Sequence, residues 1–136
     1  MTDPSLRGMH AQTVTERRRV YLLARLAVKR HYARHLTLRI VAEALATSPR
    51  QLQRAYAQLG EETFREDLIT RRLTAAAELL TSQRSTSVRA VAHQVGYRQP
   101  THFARAFRRR YGVSPSTYRA ESRQATGNEA TAVTAA

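Results

Sequence analysis

The sequence predicts an all-α fold in which two small helical subdomains are joined by a long linker helix, about seven helices in all. Three observations carry that expectation. Apolar residues recur at three- and four-residue spacing along nearly the whole chain. Serine or threonine, in places followed by proline, stands before most of these runs. One segment of the chain repeats at an offset of fifty. β-Branched residues occur singly at helix-face spacing, not in the alternating runs of strands.

Each element follows from local signals. Residues 1–14 are polar and read as a disordered tail. Thr15 is expected to cap a first helix whose Val20, Leu23, Leu26 and Ala27 make a broad apolar face through about Arg34. Thr37 caps a second helix, Leu38 to Leu45. Ser48 followed by Pro49 is a cap and first-turn signature, opening a third helix to about Leu59 that Gly60 stops. From Thr63 a long helix carries Phe64, Leu68, Leu73, Ala76, Leu79 and Leu80 to about Ser82. Ser87 caps a fifth helix, Val88 to Val95. Gln99-Pro100 opens a sixth that ends at Gly112, and Ser114-Pro115 a short seventh through about Ala120. The Ala/Thr-rich run 122-SRQATGNEATAVTAA-136 has no apolar period and reads as a second disordered tail. The expected domain is thus 15–121, with a first unit at about 15–60, a linker helix at about 63–82 and a second unit at about 87–121.

The repeat gives these elements a meaning. Segment 38-LRIVAEAL-45 matches 88-VRAVAHQV-95 in apolar and polar character, and 50-RQLQRAY-56 matches 101-THFARAF-107 once Pro100 is taken as an insertion. A short helix, a tight turn and a second, basic helix therefore occur twice, which is the pattern of two helix-turn-helix units. The period is near that of helical solenoids, but two copies joined by a long helix are too few for a stacked array.

Charge points the same way. The formal net charge is +13, from 22 arginines and a single lysine, Lys29, against ten acids. So basic a chain suits a polyanion, nucleic acid before acidic membrane, and arginine in particular suits bidentate contact with phosphates or guanine edges. The stretch 96-GYRQPTHFARAFRRRYG-112 concentrates the feature, with five arginines, no acid, and Phe103, Phe107 and Tyr111 four apart on one helical stripe. That spacing is the spacing of a core face, so the aromatics anchor the helix while its opposite face stays cationic.

In a helix-turn-helix the first helix braces the second, whose exposed face enters the major groove. The third helix places Arg50, Gln53 and Arg54 on one face with Gln51 beside them, and turns Leu52, Ala55 and Tyr56 inward. The sixth presents Thr101, His102, Arg105 and Arg109 outward. Arginine suits guanine O6 and N7, and glutamine suits adenine N6 and N7, so these eight residues are the expected base readers. Arg39, Ser48, Arg89 and Arg119, near helix ends, are the expected phosphate contacts. A linker helix of about 20 residues is roughly 30 Å long, close to one turn of B-DNA, which suits two units entering successive major grooves of double-stranded DNA as a monomer.

The order 72-RLTAAAELL-80, 88-VRAVAHQVGY-97 and 103-FARAFRRRYGVSPSTYR-119 resembles the C-terminal signature of the AraC/XylS family of bacterial transcription regulators, and 48-SPRQLQRAY-56 resembles that family's first recognition helix. The resemblance runs from about Tyr21 to Arg119. It implies a DNA-binding regulator whose base-reading positions fall on Arg50, Gln53 and Arg54 in the first unit and on Thr101, His102 and Arg105 in the second. Departures from the family are Ala46, where glycine is common in the first turn, and a glycine one residue early at Gly60, followed by Glu61 and Glu62. They imply a first unit that is held less tightly or docks differently. The family's usual sensor domain does not fit into the first 20 residues, so a domain without a sensor is expected.

Other functions are disfavoured. With no cysteine there is no disulfide, no thiolate chemistry, and none of the methyl-accepting chemistry of the DNA-repair proteins that carry similar two-unit domains. His31 and His35 have the spacing of a helical metal pair but lack a third ligand, so no metal and no cofactor is expected. No nucleophile-base set, phosphate-binding glycine loop or paired carboxylate site stands out, and no enzyme is expected. Glu61, Glu62, Glu66 and Asp67 offset a helix dipole instead. Met1 to Gln12 has no apolar core of a signal peptide and no run approaches a membrane span, so a cytoplasmic, nucleoid-associated chain without membrane contact is expected. The alternative is a basic helical module that docks on RNA polymerase or another acidic partner without reading sequence.

Overall fold

The computed structural model describes the backbone of residues 4–135 and the side chains of residues 13–125. The described residues form seven helices and no strand: α1 (Pro4–His31), α2 (Leu38–Ala44), α3 (Pro49–Leu59), α4 (Phe64–Ser82), α5 (Val88–Gln94), α6 (Pro100–Tyr111) and α7 (Pro115–Ala135). The chain divides into two units, the first ending at Arg71 and the second beginning at Arg72, so each takes part of α4.

Side-chain caps account for five of the helix starts. The Oγ1 of Thr37 accepts from the Ile40 amide, Ser48 Oγ from Gln51, Thr63 Oγ1 from Glu66, Ser87 Oγ from Ala90 and Ser114 Oγ from Thr117, all at 3.0–3.2 Å. Each satisfies an amide that the first turn leaves without a helical partner. Gln99 makes no such bond, and α6 starts on the preset φ of Pro100 alone. The outer helices are longer than their periodicity indicated. α1 begins at Pro4 and not at Thr15, and α7 runs on to Ala135, across stretches expected to be tails. No proline interrupts either stretch, and alanine carries no penalty in a helix.

In the first unit, α1 buries Val20, Ala24 and Val28 against Val41 and Ala42 of α2 and Leu52, Ala55 and Tyr56 of α3. Leu26, expected on the buried face, is 40% exposed, and Leu23 is half-buried. The interior takes the small residues spaced four apart because α3 packs closely on α1. In the second unit, Leu73, Ala76 and Leu80 of α4 share the core with Val91, Ala92 and Val95 and with Phe103 and Phe107 of α6. Tyr111 is half-buried, its ring 4.5 Å from that of Phe107.

The two turns are built alike. Thr47 N–H donates to Ala42 O and Ala46 N–H to Glu43 O, while Tyr97 and Gly96 donate to Ala92 and His93. This is the Schellman closure, which needs a left-handed residue. Gly96 supplies it with φ +100°, whereas in the first unit Ala46 is forced to φ +55°. A Cβ in that region costs about 1–2 kcal/mol. Ala46→Gly is therefore expected to stabilise the first unit by about 1 kcal/mol, read as a shift in its denaturation midpoint at unchanged slope.

Gly60 closes α3 differently from the αL glycine expected of a helix end. Its φ is −112°, which any residue adopts, and what favours glycine is space instead: a Cβ would sit tightly, 3.0 Å from Tyr21 Oη and 3.1 Å from Tyr56 O. Gly112 at the end of α6 has φ +81° and is the left-handed stop.

Candidate nucleic-acid interface

The eight expected base readers fall on two outward faces. Arg50, Gln51, Gln53 and Arg54 on α3, and Thr101, His102, Arg105 and Arg109 on α6, are all exposed. Among the described residues, no hydrogen bond or ion pair holds any of these side chains. On the opposite faces Leu52, Ala55 and Tyr56, and Phe103 and Phe107, are buried. Each helix is thus clamped by an apolar stripe and presents polar groups on the other side, the geometry in which donors and acceptors remain available to a ligand.

The expected phosphate contacts are of three kinds. Arg39 and Arg89 are exposed in the first turns of α2 and α5. Ser48 uses its Oγ to cap α3, with the Gln51 amide 3.1 Å away. Arg119 differs from the expectation, for it is half-buried, donating from Nε to Leu80 O at 2.9 Å and from Nη2 to Gln83 O at 3.3 Å. The carbonyls at the C-terminus of α4 lack helical donors and carry partial negative charge, so they draw the guanidinium inward.

Sequence reasoning missed a buried polar cluster behind the exposed face of α3. Asp67 is 2% exposed, and its Oδ2 accepts from Tyr56 Oη at 2.8 Å. Arg25 stands 3.7 Å from Asp67 and 3.7 Å from Glu62, with more than a third of its side chain in solvent. Asp67 therefore does more than offset the dipole of α4: it ties α3 to α4 and α1 within the first unit. Burial, and then the bond to Asp67, push the Tyr56 phenol well above its usual range. The repeat held the signal, since Tyr56 and Asp67 occupy the places of Phe107 and Tyr118, whose rings meet edge-on at 5.3 Å in the second unit.

His31 is the last residue of α1 and His35 lies in the loop beyond it, so the two do not share a helix. Among the described residues no helix is long and apolar enough to cross a membrane.

Two braced helices, each with its polar face outward, define a tandem helix-turn-helix domain of the type found in transcriptional regulators. Residues 41–121 match the family described as a helix-turn-helix domain, and the chain belongs to that family in its AraC/XylS form. It is 39% identical over 80 residues to the transcriptional activator RhrA of Rhizobium meliloti (strain 1021), an alignment covering 58% of this chain and 25% of RhrA. Its fold is similar to the C-terminal domain of AraT, a response regulator from Geobacillus stearothermophilus, with a TM-score of 0.72, 36% identity, and coverage of 75% of this chain and 84% of that one. It is also similar to the DNA-binding domain of AdpA, a global transcriptional factor solved in complex with a target DNA, with a TM-score of 0.67, 28% identity, and coverage of 84% and 92%. The chain spans about a quarter of the length of RhrA.

Proposed function

We propose that this chain reads double-stranded DNA sequence for a bacterial transcription regulator, with α3 and α6 inserted into successive major grooves. The observation that carries this reading is the pair of exposed polar faces, on matching helices of a repeated unit, each backed by a buried apolar stripe. In it Arg50, Gln51, Gln53 and Arg54 meet the base edges of one sub-site, and Thr101, His102, Arg105 and Arg109 those of the other. Arg39 and Arg89 position the units on phosphates. One copy then supplies both reading helices.

Selection from a random duplex library, followed by footprinting, tests this. A single non-palindromic site of about 15–20 base pairs is expected, occupied by one copy. On that site Arg54→Ala and Arg105→Ala should each cost about 1–3 kcal/mol and relax preference at one sub-site only, whereas Arg39→Ala and Arg89→Ala should weaken all duplexes alike. Binding that favours no duplex, and falls uniformly in all four variants, would favour a module that docks on an acidic protein such as RNA polymerase.

A further inference from the structure

The two reading helices carry different electrostatic loads. Aligning 50-RQLQRAY-56 with 101-THFARAF-107 and continuing in the same register sets Ala57, Gln58 and Leu59 against Arg108, Arg109 and Arg110. All six are exposed, so the difference is one of surface and not of packing. Past the helix ends the register sets Glu61, Glu62, Arg65 and Glu66, three acids and one base, against Gly112, Val113, Ser116 and Thr117. α6 therefore has four arginines, Arg105, Arg108, Arg109 and Arg110, and is followed by neutral residues. α3 has two, Arg50 and Arg54, both on the reading face, and is followed by carboxylates. Of those carboxylates Glu62 is partly offset by Arg25, while Glu61 and Glu66 stand exposed.

Phosphates flank every groove whatever its sequence, and each phosphate neutralised releases counterions. A helix whose cations extend beyond its reading face gains affinity for any duplex. One whose cations all lie on that face, beside repelling carboxylates, gains affinity mainly when the bases match. We propose that the second unit is the anchor, holding DNA of any sequence through Arg108 and Arg110, and that the first unit is the discriminator, adding preference with little salt-dependent affinity of its own. This rests on the DNA-reading assignment above. It assigns unequal roles to two units that share one fold.

The test measures dissociation constants of the full chain, over a range of salt, for the selected duplex and for a random one. Arg108→Gln with Arg110→Gln should flatten the slope of log K against log salt by roughly two on both duplexes, at about 0.9 per phosphate contact, and leave the ratio of the two affinities unchanged. Arg50→Gln with Arg54→Gln should flatten the random-duplex slope clearly less than the α6 pair does, while the preference for the selected duplex falls by about tenfold or more. The converse change, Ala57→Arg with Leu59→Arg, should steepen the slope on both duplexes and lower the preference. Melting temperatures check that each variant is folded, and Arg108→Gln alone carries the anchor test if removing Arg110 from the Tyr111 ring lowers stability. If the α3 pair flattens the random-duplex slope as much as the α6 pair, the division of roles is wrong. A parent chain that prefers no duplex would instead remove the DNA-reading assignment itself.

Discussion

Phe107→Ala is expected to unfold the second unit. The side chain is fully buried, with ring centroids at 5.7 Å to Phe103, 4.5 Å to Tyr111 and 5.3 Å to Tyr118. Removing a buried phenylalanine costs about 3–5 kcal/mol, a large part of what a domain this small has in reserve. The loss falls on the residue that joins α6 to α7, so DNA binding fails because the helix is no longer held. Arg109, two residues on and exposed, is the matching control. Arg109→Ala should melt within about 0.5 kcal/mol of the parent and still bind DNA less well. Thermal melts and binding isotherms for the two variants separate the faces of α6. A Phe107→Ala protein that melts like the parent but no longer binds DNA would turn the assignment of the faces around.

The polar cluster of the first unit is expected to behave as a coupled pair. Tyr56→Phe removes the 2.8 Å donor from the buried Asp67 carboxylate, which keeps Arg25 at 3.7 Å, and Asp67→Leu leaves the Tyr56 hydroxyl buried without its acceptor. Each change should cost about 1–3 kcal/mol, the penalty for a buried polar group deprived of its partner. The double variant removes both polar groups and should cost clearly less than the sum, with a coupling of about 1 kcal/mol or more in denaturant unfolding of all four proteins. Strict additivity would show that the 2.8 Å bond contributes nothing to holding α3. The second unit supports the apolar solution, since it fills the matching places with Phe107 and Tyr118.

The parts of this fold that are legible in the sequence are those whose signals are local. Helix starts were legible because a cap bonds an amide three residues away, so Thr37, Ser48, Thr63, Ser87 and Ser114 declare themselves by position. The faces of α3 and α6 were legible because side chains at three- and four-residue spacing point the same way, and the repeat checked one helix against the other. The extents of α1 and α7 were less so: Ala- and Thr-rich polar sequence has no apolar period to mark where a helix ends.

By itself the sequence determined the all-α fold, its doubled unit and the exposed polar faces of α3 and α6, all consequences of spacing along the chain. Tertiary structure decided what depends on which groups meet across helices. Leu26 faces solvent while Ala24 is buried, because the interior of the first unit has room for the smaller side chain. Arg119 turns to the carbonyls of Leu80 and Gln83, which it reaches only once α7 is folded beside the end of α4. Ala46 adopts a left-handed backbone because the turn it closes requires one, whatever residue stands there. Asp67 looks in the sequence like one acid among four at a helix start, and only the packing of α4 on α3 brings it to the Tyr56 hydroxyl and removes it from water.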